Sequence, residues 1–176
     1  LEELDDHRAN VSRHFEAVFA DPNRKGHDLA AVWQGCDGAE ASQELDRLGY
    51  GDAASGAQRL AGIPNGSRYQ QMPPGIRERF DALVPRLIEA AAATPNPDAT
   101  LARGLDLLEA ISRRAAYLAL LQQYPQALQK VAQLVSASSW AATYLTRHPV
   151  LLDDLLDARL LEAVPDWAAF RAQLAQ

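Results

Sequence analysis

The chain has 176 residues, enough for one sizeable domain or two small ones with a real core. Its 23 acids against 17 Lys and Arg give a formal charge of −6, which disfavours bulk binding to nucleic acid. No apolar run approaches the ~20 residues a membrane span needs, and one cysteine, Cys36, leaves no disulfide to form within the chain, which suits a reducing, cytoplasmic setting.

Ala and Leu dominate the apolar residues, so composition favours helix over strand. The charge is uneven: residues 1–67 hold 12 acids and 6 bases, whereas residues 68–130 hold 6 acids and 8 bases. So mild a basic excess is what a solvated helix face shows, not a phosphate-binding stripe. The opening Leu1-Glu2-Glu3-Leu4-Asp5-Asp6 is acidic and amphipathic and makes no signal peptide. It lacks an initiator Met, as expected of a piece trimmed from a longer protein.

Residues 2–20 are predicted helical, with Leu4, Val11, Phe15, Val18 and Phe19 on one face. Asp21-Pro22-Asn23 ends that helix, and residues 21–28 read as a surface loop. Residues 28–48 hold two short helices, broken between Gly35 and Gly38 and stopped by Gly49. Asp52 caps a third that ends near Ala61. The Gly and Pro residues of 62–75 predict a mobile connection. A helix over 75–93 follows, with Pro85 inside it as an expected kink. Asn96, Pro97 and Asp98 then make a helix start. From Pro97 to about Gln123 a 3–4 spacing of Leu101, Leu105, Leu108, Ile111 or Ser112, Ala115, Leu118 and Leu121 predicts one long helix. Shorter helices are expected over 125–137 and 139–147, then a turn from Pro149 to near Asp157, then a last helix capped by Asp166. The fold class is therefore all-α: an irregular helical bundle of about seven to nine helices with no sheet. No period of 30–45 residues recurs, which argues against tetratricopeptide, HEAT or armadillo arrays.

Chemistry has no obvious seat. A phosphate-binding Gly-x-x-x-x-Gly-Lys is absent, and so is the Asp-x-Asp that holds metals for phosphoryl transfer. Asp153-Asp154 reads as a capping or solvated pair. His7 and His14 share a helix face but stand ~10.5 Å apart along it, too far for one zinc ion. His148, before Pro149, reads as a helix cap, and Cys36 has no His partner beside it. No catalytic, cofactor-binding or metal residue is expected. Three residues stand out instead as possible interdomain contacts: Arg113, Arg114 and Trp140. The arginines flank the predicted long helix and suit either a surface salt bridge or a bidentate interdomain ion pair. Trp33, Trp140 and Trp167 are core candidates, but Trp140, beside a Ser-rich cap, also suits anchoring a partner.

Arg113-Arg114-Ala115-Ala116-Tyr117-Leu118, Pro125 with Ala127-Leu128, Ser138 to Trp140, and His148-Pro149 followed by Leu151-Leu152-Asp153-Asp154-Leu155-Leu156 form a familiar series. It resembles the region leading into the second half of the bifunctional glutamine synthetase adenylyltransferase/adenylyl-removing enzymes. The ending from Pro165-Asp166 to Leu174 fits as well. Upstream, His7 to Phe19 is similar to the last helix of that family's first half, and Ala31-Val32-Trp33-Gln34 and Leu48-Gly49-Tyr50 to its central connection.

The resemblance implies two nucleotidyltransferase units in the parent protein. One transfers AMP from ATP to a tyrosine of glutamine synthetase and the other removes it by phosphorolysis, each with a Gly-Ser-Asp-x-Asp motif and magnesium. Neither motif occurs here. The resemblance therefore implies a non-catalytic, regulatory central segment. Magnesium and ATP would belong to the parent's catalytic units. Its partners would be those adjoining units, glutamine synthetase and the PII signal protein, with glutamine as an effector. Residues 1–67 would end the preceding unit and add short connecting helices, and residues 68–176 would form the bundle leading into the transferase unit. The alternative from a different class is a free-standing helical adaptor for protein partners.

Overall fold

A computed structural model describes residues 29–35 and 37–152 of the chain. The expected helix over 2–20, the loop over 21–28, His7, His14, Cys36, Trp167, the turn's end near Asp157 and the helix after Asp166 lie outside the described residues. Within them the chain is all-α, as its composition predicts. Helices α1 (Leu29–Gln34), α2 (Gly38–Arg47) and α3 (Ala53–Gly62) come first, followed by a 3-10 turn, Ile63–Asn65, and the one-turn α4 (Ser67–Gln70). Then come α5 (Pro74–Ala92), α6 (Pro97–Ile111), α7 (Ala115–Gln123), α8 (Pro125–Ala137) and α9 (Ser139–Arg147). No strand occurs among the described residues.

The helix ends follow local chemistry. Gly49 has φ +92°, a backbone state L-residues rarely adopt, and Gly49 N–H and Tyr50 N–H donate to the carbonyls of Asp46 and Leu45. Those are the paired bonds of a Schellman stop. Asp52 and Ser138 accept from the amides of Ser55 and Ala141, each at 3.2 Å, and start α3 and α9. The Ser55 hydrogen bonds hold the Asp52 carboxyl below its ordinary pKa. Pro97 and Pro125 occupy first helical positions, where the missing N–H costs nothing. Pro85 sits inside α5 without interrupting it.

Helices α5 and α6 are the centre of the bundle. Residues 93–96 join them, and inside that link Thr94 Oγ1 donates to the Ala91 carbonyl at 2.7 Å and meets Thr100 Oγ1 at 2.9 Å. Both threonines are buried with their polar atoms satisfied. Phe80, Leu83, Leu87 and Ile88 of α5 and Leu101, Leu105, Leu108 and Ile111 of α6 are almost wholly buried. The backbones approach closely at Gly104, where an added Cβ would stand 2.7 Å from Leu87 Cδ1.

Two expectations are corrected. The 62–75 connection is a folded corner. Ile63 and Met72 plug into the core, and Met72 N–H and Gly66 N–H close turns on Tyr69 and Ile63. Trp33, Leu45 and Tyr50 from before this corner share one hydrophobic core with Phe80, Leu87 and Ile88 from after it. The apolar plugs outweigh the turn-forming glycines and prolines. The single helix expected over 97–123 is two helices. Ser112 is buried, and its hydroxyl donates to the Glu109 carbonyl at 2.7 Å, a local bond of the kind that competes with helix continuation. Arg114 is extended at φ −121°, ψ 91°, so the apolar stripe resumes on α7 in a new direction, with Leu118 and Leu121 fully buried. Helix α7 packs against α5.

Candidate functional site

Because α6 ends at Ile111, Arg113 and Arg114 project from the α6–α7 break and not from a helix flank. Both are exposed. They go separate ways. The Arg114 guanidinium lies 5.8 Å from the centre of the Tyr117 ring, within reach of a weak cation–π contact. Arg113 lines a cleft of about 430 Å³ together with Arg68, Gln71, Met72, Pro73 and Ile76 of the 62–76 corner. Neither arginine makes a salt bridge among the described residues. The third candidate, Trp140, lies elsewhere, at the start of α9. The structure therefore does not gather the three residues into one site.

Trp140 is 70% exposed, far more than a core tryptophan. Its ring stacks on Tyr144 at 5.0 Å with 13° between the planes, and Tyr144 meets His148 at 4.6 Å. The spacing of four residues puts the three rings in a row along one helix face. Val150, just past the helix end, is itself 58% exposed. The other face of α9 is anchored by buried Ala142 and Leu145, so the strip stands on a fixed support. At the C-terminus of α8, Arg103 donates to the Val135 carbonyl at 2.6 Å and so fixes the α8–α9 corner.

His148 is the helix cap its place before Pro149 suggests, but the alignment of Tyr144 and His148 with Trp140 was missed, although their spacing was a readable signal. Also missed was an aromatic cluster beside α5. Trp33 Nε1 and Tyr69 Oη both donate to Asp81 Oδ1, at 3.1 and 2.8 Å. The Trp33, Tyr69 and Phe80 rings meet at about 6 Å. Burial, then the Asp81 hydrogen bond and charge, raise the Tyr69 hydroxyl to about 12. These bonds tie α1 and α4 to α5. Asp98 has a similar duty: its two carboxylate oxygens accept from Gly51 and Asp52 N–H at 3.0 and 2.9 Å, so it secures the turn before α3 as well as its own helix start. No group of three or more His, Cys, Asp or Glu among the described residues is placed to hold a metal ion.

No protein-family model matches the chain. Among curated proteins, it is 62% identical over 172 residues to the bifunctional glutamine synthetase adenylyltransferase/adenylyl-removing enzyme of Aromatoleum aromaticum, a match covering 97% of this chain and 18% of that protein. The protein of the same description from Chromobacterium violaceum is 53% identical over 178 residues, covering 99% of this chain and 20% of the relative. That from Nitrosomonas europaea is 43% identical over 182 residues, with the same coverages. The chain is homologous to one segment of these proteins and spans about a fifth of their length.

Proposed function

We propose that this chain, homologous to one segment of the bifunctional glutamine synthetase adenylyltransferase/adenylyl-removing enzymes, is a non-catalytic regulatory segment that connects and couples the parent's two catalytic units. The observation that carries the reading is Trp140, exposed at 70%, stacked on Tyr144 in a row of three rings that ends at the tilted His148. Large exposed aromatic rings on a rigid helix suit a protein interface, where Trp and Tyr dominate the binding energy. Arg113, without a carboxylate partner among the described residues, supplies a second contact point at the α6–α7 break. A body touched at two separate points can favour one mutual arrangement of its neighbours, and that is the physical content of coupling between sites.

In this reading the AMP chemistry, with its ATP and magnesium, belongs to the parent's catalytic units. The described residues offer no carboxylate cluster for a metal, and the sequence holds no Gly-Ser-Asp-x-Asp. Glutamine synthetase is the parent's substrate in the cytoplasm, and glutamine and the PII signal protein bias the arrangement that this segment transmits. The test is direct. The purified chain, incubated with glutamine synthetase, ATP and magnesium, leaves the synthetase unmodified, and it removes no AMP from the modified form with phosphate. AMP transfer or release that co-purifies with the chain sinks the reading.

A further inference from the structure

Charge is segregated along the described chain. Residues 29–109 hold eleven acids and seven bases, whereas residues 110–152 hold Arg113, Arg114, Lys130 and Arg147 and not one Asp or Glu. The stretch from the α6–α7 break to the end of α9 thus carries cations alone, and Arg147 stands on the aromatic strip. At about 100° per residue it falls about 20° around α9 from Trp140, with Tyr144 about 40° to the other side. All three are exposed, and Arg147 has no salt bridge among the described residues. Helix α9 packs on α6 and α8. Helix α8 has no acid, and those of α6 are engaged elsewhere: Asp98 by the Gly51 and Asp52 amides, Asp106 and Glu109 by Arg59.

The Trp140 indole N–H and the Arg147 guanidinium donate and accept nothing. A partner that covers the strip takes this guanidinium out of water, which is favourable only where the partner brings a carboxylate to it. The surface that fits is therefore an acidic one. A nucleic acid fits poorly, because it needs cations ranged along its phosphates and α9 offers a single arginine. The shape of the strip selects a helix. Trp140, Tyr144 and His148 stand at i, i+4 and i+8, a ridge about 12 Å long. Ridges of this spacing seat between the same rows of a second helix, which then crosses at about −50°. The ridge is stiff, because Tyr144 packs between Trp140 and His148 and the opposite face of α9 is buried.

We propose that α9 docks an acidic helix from an adjoining unit of the parent enzyme, with apolar side chains on Trp140 and Tyr144 and an Asp or Glu on Arg147. The inference rests on the proposed role of the strip as an interdomain contact and names the chemistry of what covers it. The matching segment is only 18% and 20% of the length of the first two relatives, so most of the parent lies outside this chain and can supply the helix.

A benzophenone photo-crosslinker in place of Thr143, exposed about one turn from Trp140, tests this in the purified full-length parent enzyme. Mass spectrometry of the irradiated protein places the cross-link in a helix of an adjoining unit, with an Asp or Glu within one turn of the linked residue. Arg147→Glu lowers the yield several-fold, and changing that acid to Lys in the same protein restores it. Arg147→Lys keeps most of the yield, and circular dichroism of the Arg147 variants matches the unsubstituted enzyme. A cross-link to a surface without acids, to residues 153–176 or to a second copy overturns the proposal, as does a yield that Arg147→Glu leaves unchanged. So does the absence of any cross-link within the enzyme, or cross-linking to added single-stranded RNA in its place. The coupling role is separable from this result. A cross-link to an acid-free surface together with an altered glutamine response in Trp140→Ala refutes the acidic helix and keeps the coupling; a cross-link to an acidic helix with an unchanged response does the reverse.

Discussion

Replacing Gly104 with Ala sets two effects of opposite sign against each other. In a helix interior, Ala is worth about 1 kcal/mol more than Gly. The added Cβ would meet Leu87 Cδ1 at 2.7 Å, Cδ2 at 3.0 Å and Cγ at 3.3 Å. Leu87 is 1% exposed, so its methyls have no solvent to move into and α5 and α6 must separate. Overpacking of this kind costs about 1–3 kcal/mol, so Gly104→Ala destabilises the chain by a net ~1 kcal/mol. Leu87→Ala alone opens a cavity and costs about 2–5 kcal/mol. In that background the clash is gone, so Gly104→Ala stabilises by about 1 kcal/mol through helix propensity. Urea unfolding of the four proteins completes the cycle, with a coupling of about 2 kcal/mol. A wild-type background in which Gly104→Ala raises stability, or an equal effect in both backgrounds, refutes the close-packing argument for the α5–α6 pair.

Asp81→Ala strands the Trp33 and Tyr69 donors and lowers stability by about 2–3 kcal/mol, read as a reduced urea midpoint; a change below about 0.5 kcal/mol, the range of ordinary surface substitutions, would remove Asp81 from the ties between α1, α4 and α5. Tyr50 is 2% exposed and donates to the Ile88 carbonyl at 2.7 Å; burial first, and the Asp98 charge second, raise its hydroxyl above the ordinary value. The stability this contributes is fully present below pH ~10 and is lost as pH rises towards the folded value. Urea midpoints therefore fall above pH ~10, and Tyr50→Phe flattens that fall; an unchanged slope in the variant speaks against it. Trp140→Ser alters the isolated chain's stability by less than about 0.5 kcal/mol, as a surface position should, whereas a larger loss makes Trp140 a structural residue.

The helical class was legible because Ala- and Leu-rich 3–4 spacing leaves no room for a period of two. The helix stop at Gly49 and the starts at Asp52 and Pro97 were legible because each depends on one residue's own chemistry. The break at 112–114 was not. Periodicity carries straight across it, and no one residue's chemistry announces it: Arg114 adopts an extended backbone and the apolar stripe resumes on α7. The corner at 62–75 misled for a related reason: its glycines and prolines announce turns, but only packing reveals that Ile63 and Met72 anchor those turns. Trp140 stood out in the sequence as a residue, while the strip it forms with Tyr144 and His148 needed the row of rings to be seen on the exposed face of α9. Asp81 was passed over because its donors, Trp33 and Tyr69, lie 48 and 12 residues away in the sequence.

The coupling role is tested most directly in the full-length parent enzyme carrying Arg113→Ala or Trp140→Ala. AMP transfer to glutamine synthetase and AMP removal from it are each measured with and without glutamine. Coupling between sites typically amounts to about 1–3 kcal/mol. Losing one contact therefore shifts the ratio of the two activities in the presence of glutamine several-fold, while each basal rate holds. If both variants keep the wild-type glutamine response, the exposed strip and the Arg113 cleft are ordinary surface and the coupling account is wrong.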